Sequence, residues 1–250
     1  MKFRCAIAAL AGVGLSLTAF AAQAAEMKLL EGNALKAVMD ELGPQFEKST
    51  GNTITATLGT SAQLKSRIES GEAFDAVLLT KAALDDLAKQ GKVADAPRAG
   101  IAHAGIGVAI KKGAPKPDIS TVEAFKRAML DAKTIGYVDQ TPTGAALKTL
   151  FAKLGIADQM DPKLKPLTKQ AALAVADGDV EFGMTQISEI LPYPGVELAG
   201  PLPPDIQTYT IFAGGISAAA KNTDGAVALI KFLTTPAAAS VIKSKGMDPG

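Results

Sequence analysis

Along most of its length the chain alternates between two kinds of apolar pattern, and that alternation limits the folds open to it. Short β-rich runs are each followed by a stretch with apolar residues three and four apart. Met27–Leu30 reads as a strand ending at "EGNA". "LKAVMDELGPQFEKSTG" then places Leu35, Val38, Met39, Leu42 and Phe46 at helical spacing, with Gly51 as the stop. "TITATLG" alternates as a strand does. "SAQLKSRIESG" reads as a short helix capped by Ser61 or Thr60 and ended by Gly71. "FDAVLLT" is a buried-type strand and "KAALDDLAKQG" a helix ending at Gly91. Strands and helices of these lengths predict an α/β chain of right-handed βαβ units around a parallel sheet.

The alternation then restarts. "AGIGVAIKKG" is an apolar strand leading through the Pro-rich "APKPDIS" to the helix "TVEAFKRAMLDAK". "TIGYVDQ" is a strand, "TPTGAALKTLFAKLGI" a turn plus helix, "KLKPLT" a short strand, "KQAALAVADGD" a helix and "VEFGMTQ" a strand. The stretch "LPYPGVELAGPLPPD" breaks the pattern. "TYTIFAGGISAAA" returns as a strand before a final helix pair in "DGAVALIKFLTTPAAASVIKSKG". Irregular stretches near Ala102–Gly107 and Pro201–Gln207 are therefore the expected crossings between two α/β lobes. The expected division is 25–104 plus 208–250 as lobe 1, with 105–207 inserted as lobe 2, and two crossings would make a hinge.

The first 24 residues, "MKFRCAIAALAGVGLSLTAFAAQA", combine a basic start (Lys2, Arg4), an apolar core and a small-x-small ending at Ala22-Gln23-Ala24. That is the pattern of a secretory signal peptide cleaved near Ala24/Ala25, so the chain is expected in the periplasm. The single cysteine, Cys5, falls before the cut, which excludes thiolate chemistry and a disulfide framework from the exported part. That part carries 24 basic against 25 acidic residues, a net charge of about −1. Such a balance offers no nucleic-acid footprint and no polybasic membrane patch.

Three strand-to-helix junctions share one chemistry: Gly32-Asn33-Ala34, Gly59-Thr60-Ser61 and Thr141-Pro142-Thr143-Gly144. In open α/β sheets ligands bind outside the carboxyl ends of the strands. Helix N-termini there present unpaired N–H groups and partial positive charge, which suit an anion. Gly lets the backbone approach, and Asn, Thr and Ser add short donors. Thr168 at a fourth junction and Gln186 at the end of "VEFGMTQ" complete the candidate set. Each junction alone could be an ordinary N-cap; together, in both lobes, they point to a ligand.

The titratable residues argue against an enzyme. His103 is the only histidine and has no partner nucleophile in view. No His/Cys cluster or acidic loop suits a metal, and no cofactor is implied. Tyr137, Tyr193 and Tyr209 are too dispersed to suggest iron, and the absence of Trp disfavours a sugar-stacking cleft.

The stretches "EGNALKAVMDELGPQFEKSTG … LGTSAQLKSRIESGEAFDAVLLT", "YVDQTPTGAALKTLFAKLGI", "VEFGMTQISEI" and "LIKFLTTPAAASVIKSKGM" resemble the periplasmic molybdate-binding proteins of ABC transporters over essentially the whole exported chain. The resemblance implies a type II periplasmic-binding-protein fold. In it two lobes, each a mostly parallel sheet flanked by helices, close on a small oxyanion held between them. It also implies a monomer that delivers its ligand to a membrane permease. By position, the family's binding turns fall on Gly32-Asn33-Ala34, with Asn33 where Ser is usual, and on Thr60-Ser61. In the other lobe they fall on Thr143, Thr168 and Gln186, the last standing where molybdate binders carry Tyr.

Asn33 and Gln186 keep donors but add acceptors, which a tetrahedral dianion disfavours. The resemblance makes molybdate or tungstate the leading ligand, and these departures make a small di- or tricarboxylate the alternative. A sensor-input protein on the same fold is a further reading. Lys169 and Arg67 are candidate counter-charges.

Overall fold

The computed structural model describes residues 25–250. The proposed signal peptide, with Cys5, lies outside the described residues. The elements run β1 (Glu26–Gly32), α1 (Lys36–Thr50), β2 (Thr53–Gly59), α2 (Ser61–Glu69), β3 (Ala76–Thr80), α3 (Lys81–Lys89) and β4 (Ala99–Lys111). Then come α4 (Val122–Asp131), β5 (Ile135–Tyr137), α5 (Pro142–Lys153), α6 (Ala157–Met160), β6 (Leu164–Pro166), α7 (Ala171–Asp177) and β7 (Phe182–Gln186). The chain closes with β8 (Val196–Pro201), β9 (Tyr209–Ile216), α8 (Thr223–Leu233), α9 (Pro236–Ser244) and β10 (Met247–Pro249).

The strands follow the order β2-β1-β3-β9-β4-β7-β5-β6, with β8 and β10 also paired to β4. Two parallel sets, β2-β1-β3 and β7-β5-β6, are what the βαβ alternation predicts. Between them β9 and β4 run antiparallel and carry the chain from one set to the other. Two features of that join differ from the sequence reading. Ala102–Gly107 is no irregular crossing but the middle of the long strand β4, which pairs with β9 as far as Gly105 and with β7 from Ile106. The Pro/Gly-rich stretch after residue 190 contains β8, whose edge pairing to β4 tolerates the flanking prolines.

Two separate cores follow the same division. Met27, Leu29, Leu35, Val38, Leu42 and Phe46 bury one face of the first set against α1, α8 and α9. Leu30, Val77 and Leu79 fill the other face against α2 and α3. Each such side chain contributes about 1.5–3 kcal/mol of burial. In the second half Ile106, Val108, Phe125, Ile135, Phe151 and Met184 pack together, while Ala172, Val175 and Val196 cover the opposite face. Ala104 belongs to the first core and Ile106 to the second, two residues along the same strand.

Candidate functional site

Strand register brings the predicted turns together. Gly32 lies opposite Gly59 at the shared ends of β1 and β2, so the turns that follow both strands start side by side. Tyr137 lies opposite Pro166, which does the same for the turns leading to Thr143 and Thr168. Gln186 pairs with Ile106, the residue at which β4 changes partner, and so stands at the junction of the two halves. Between these strand ends lies a cleft of about 960 Å³, lined from both halves. It sits where open α/β sheets place their ligands.

Of the predicted residues, Gly32, Asn33, Ala34, Thr60, Ser61, Pro142, Thr143, Thr168 and Gln186 line the cleft. Gly59 and Gly144 do not, and both have a packing reason to be glycine. A Cβ on Gly144 would stand 2.5 Å from the Val138 carbonyl oxygen, because the first turn of α5 folds tightly under the strand end. One on Gly59 would stand 3.1 Å from the Leu64 side chain. Of the two candidate counter-charges, Lys169 lines the cleft, but its ammonium is held by Asp177 at 2.5 Å and Asp179 at 2.8 Å. Arg67 does not line it and is paired with Glu72.

The hydroxyls divide by what their protons can do. Thr60 caps α2 in a capping box: its Oγ1 accepts from the Gln63 N–H at 3.2 Å, and its own N–H donates to Gln63 Oε1 at 2.9 Å. Ser61 Oγ accepts from the Thr80 N–H at 3.0 Å. Both oxygens are occupied as acceptors, which leaves their protons free to donate into the cleft. Thr141 is different: it donates to the Val138 carbonyl at 2.7 Å and accepts from the Gly144 N–H at 3.2 Å, so its hydroxyl is spent on the turn. Thr143, one residue into α5 and buried, is the hydroxyl that this wall offers.

Gln186 is buried, and its Oε1 is sealed from solvent with no donor against it. The amide nitrogen is therefore the end of this side chain that the cleft can reach. Close by in the chain, a short 3-10 turn over Ile187–Glu189 brings Glu189 to the same wall. Thr185 Oγ1 donates to Glu189 Oε2. Burial raises the Glu189 carboxyl above its ordinary range, outweighing the Thr185 hydrogen bond and the nearby Gln186 backbone N–H, which favour the charged form. Sequence reasoning missed Glu189. Its position three after Gln186 in "TQISEI" was the signal available.

Other lining residues complete the electrostatics. Lys65 lies between Asp86 at 3.4 Å and Glu69 at 3.5 Å, and Asp139 is paired with Lys148 at 2.6 Å. Gln170 accepts a hydrogen bond from the Tyr193 hydroxyl. The walls thus present neutral donors, self-compensated ion pairs and one carboxyl.

Comparison with known proteins supplies the family and the fold. Residues 28–248 match the family described as bacterial extracellular solute-binding protein. The chain is 28% identical over 229 residues to the aconitate isomerase of Pseudomonas sp, covering 89% of this chain and 87% of that protein. It is 29% identical over 245 residues to the molybdate-binding protein ModA of Azotobacter vinelandii, covering 94% of each. The solved structure of the Azotobacter vinelandii periplasmic molybdate-binding protein superposes with a TM-score of 0.77 at 18% identity, over 90% of this chain and 99% of that one. That likeness gives the fold, the two-lobed architecture of periplasmic binding proteins. The match over nearly the whole described chain places the protein among the bacterial extracellular solute-binding proteins.

Proposed function

We propose that this chain is the periplasmic receptor of an ABC transporter and takes a small anion in the cleft between its lobes. The division into 25–104 plus 208–250 and 105–207 is part of the proposal, supported by the partner change in β4 and by the two separate cores. One observation carries the reading: opposing walls offer hydroxyl donors, from Thr60 and Ser61 on one side and Thr143 on the other, while both lining lysines are already paired. An anion bridging those walls makes contacts in a closed state that it cannot make in an open one, so it favours closure. Each hydrogen bond to a desolvated charge contributes about 1.5–3 kcal/mol.

The names of several relatives put molybdate or tungstate first. The departure at Asn33, and Glu189 on the cleft wall, favour a small di- or tricarboxylate. A thermal-shift panel on protein recovered from periplasmic extract decides between them. A ligand at about 1,000 times its Kd adds about 4 kcal/mol to the folded state. Stabilisation by molybdate and tungstate alone selects the oxyanion, stabilisation by carboxylates alone the organic acid, and no stabilisation by either overturns the receptor reading. N-terminal sequencing of the same sample tests processing near Ala24/Ala25. A membrane permease is the expected partner. Co-isolation with a sensor kinase instead would move the same binding step into signalling.

A second reading is chemistry on the bound acid. Glu189, a half-buried carboxyl on the cleft wall, is the observation that favours it, beside the likeness to an aconitate isomerase. Proton exchange or double-bond migration in aconitate, followed by NMR in D₂O, would establish it, and inertness would leave a pure receptor.

A further inference from the structure

Resting on the anion-receptor reading, the cleft poses a charge problem that its own residues must solve. Glu189 lines a cavity meant for an anion, and a carboxylate facing an anion at about 4 Å is repelled by about 1 kcal/mol in bulk water and about 4 kcal/mol near a protein surface. The groups around it do not relieve that repulsion. Thr185 holds one of its oxygens from the end of β7. Tyr193, which interacts with Glu189 and with Lys36, donates its hydroxyl hydrogen bond to Gln170. Lys36 itself is bound to Asp40 at 2.6 Å. Lys169 is held by Asp177 and Asp179, and Lys65 by Asp86 and Glu69. The remaining acid on the cleft wall, Asp139, is neutralised by Lys148. Among the described residues lining the cleft, no unpaired cation opposes Glu189.

We propose that Glu189 receives the ligand as a neutral carboxylic acid, sharing one proton with a carboxylate of a small organic acid, so that ligand and proton enter together. Two carboxyl groups at contact distance cannot both ionise, and one proton between them satisfies both. A carboxylate is matched in basicity to such a partner, whereas sulfate, the anion of a much stronger acid, shares a proton poorly. Glu189 is on this account a specificity-determining residue that selects carboxylates. The desolvation described above works in the same direction, favouring the neutral form of Glu189.

The sign of the pH dependence follows. Affinity is flat while free Glu189 is protonated, and above that range it falls about tenfold per pH unit, because binding must then recapture a proton. Titration calorimetry with succinate, malate and tricarballylate, and with sulfate and molybdate as oxyanion probes, would be run from about pH 6.5 to about pH 9.5, where the dicarboxylates are fully ionised. Pairs of buffers with different ionisation enthalpies count the protons taken up. The wild type is expected to lose carboxylate affinity on the alkaline limb with uptake approaching one proton. Glu189→Gln, whose amide donates but does not titrate, is expected to bind with a flat profile and no uptake. Thr185→Val removes a hydrogen bond to the charged form, so it should move the alkaline fall to higher pH without changing its slope. This variant serves if Glu189→Gln does not fold. Identical profiles for wild type and Glu189→Gln, a flat wild-type profile, or binding of oxyanions alone would each overturn the proton-sharing role while leaving a receptor. Failure of every probe to bind would overturn the receptor reading instead.

Discussion

Gln207 closes its side-chain amide on the backbone of Ile106, accepting from the Ile106 N–H at 2.9 Å and donating to the Ile106 carbonyl at 2.9 Å. The amide thereby imitates a strand neighbour at the residue where β4 changes partner. Leu202 adds an N–H to the same carbonyl at 3.1 Å, so the N–H of Ile106 depends on Gln207 more than its carbonyl does. Gln207→Ala should cost about 1–3 kcal/mol, the penalty for an orphaned donor. At this chain length that is about 2–4 °C of Tm for each kcal/mol, read by thermal denaturation. An unchanged Tm would mean that water replaces the amide without loss.

The division of hydroxyls in the cleft predicts opposite phenotypes for neighbouring threonines. Thr143→Val and Ser61→Ala should each weaken the anion about tenfold, the equivalent of about 1.4 kcal/mol. Thr141→Ala should instead cost about 0.5–2 kcal/mol of stability through the lost cap while leaving Kd within a few-fold. Calorimetric Kd beside denaturant melts separates the two, and equal losses of affinity at all three positions would refute the assignment.

Glu31, at the end of β1, is buried with Oε1 unpartnered, and burial together with the Asp40 charge pushes its carboxyl up to about 7, against the pull of Lys36. In the unfolded chain it ionises at the ordinary value of 4.5. Between those values the unfolded state has released a proton that the folded state keeps. Stability therefore falls as pH rises through this window, by up to about 3 kcal/mol. Glu31→Gln should flatten this part of the stability profile and melt higher than wild type at pH 8. A profile that keeps its slope in the variant would assign the effect elsewhere.

Asp75 shows the reverse behaviour. Burial works against its charge, but its oxygens accept from the backbone N–H groups of Lys28 at 2.8 Å, Lys221 at 2.7 Å and Asn222 at 2.9 Å, and the carboxyl is held below its usual range. These bonds tie β1 and β3 to the start of α8. Their stabilisation is complete above the unfolded carboxylate range and is lost only as pH falls through the lowered folded value. Asp75→Asn keeps the shape, loses the charge and turns a donor toward one of these groups. It should cost about 2–4 kcal/mol at neutral pH, with the difference from wild type shrinking in acid. Paired urea melts at neutral and acid pH would check it.

The elements most legible in the sequence were those whose pattern is set by their own burial. Leu35, Val38, Leu42 and Phe46 recur at helical spacing because α1 lays one stripe on the sheet, and Gly51, at φ +73°, ends it where expected. The cleft turns were legible because capping and anion binding ask for the same small polar residues. β8 was hidden by its prolines, and β10 by being only three residues long. Glu189 could not be assigned from sequence, since only the turn after Gln186 and the packing around it decide whether an acid there is solvated or enclosed. The continuity of β4 was equally invisible, because a run of small and aliphatic residues from Ile101 to Ile110, interrupted only by His103, gives no sign of where its neighbours change.

That continuity has a mechanical consequence. The two halves are joined by a hydrogen-bonded ribbon rather than by slack tethers, since β4 is laddered to β9 on one side of Gly105–Ile106 and to β7 and β8 on the other. Any rotation of one half against the other must wring this ribbon, and a laddered strand resists torsion and springs back. On the receptor reading proposed above, the gap between the halves would be an elastic coordinate with a preferred width, and a solute that narrows it would have to work against that stiffness.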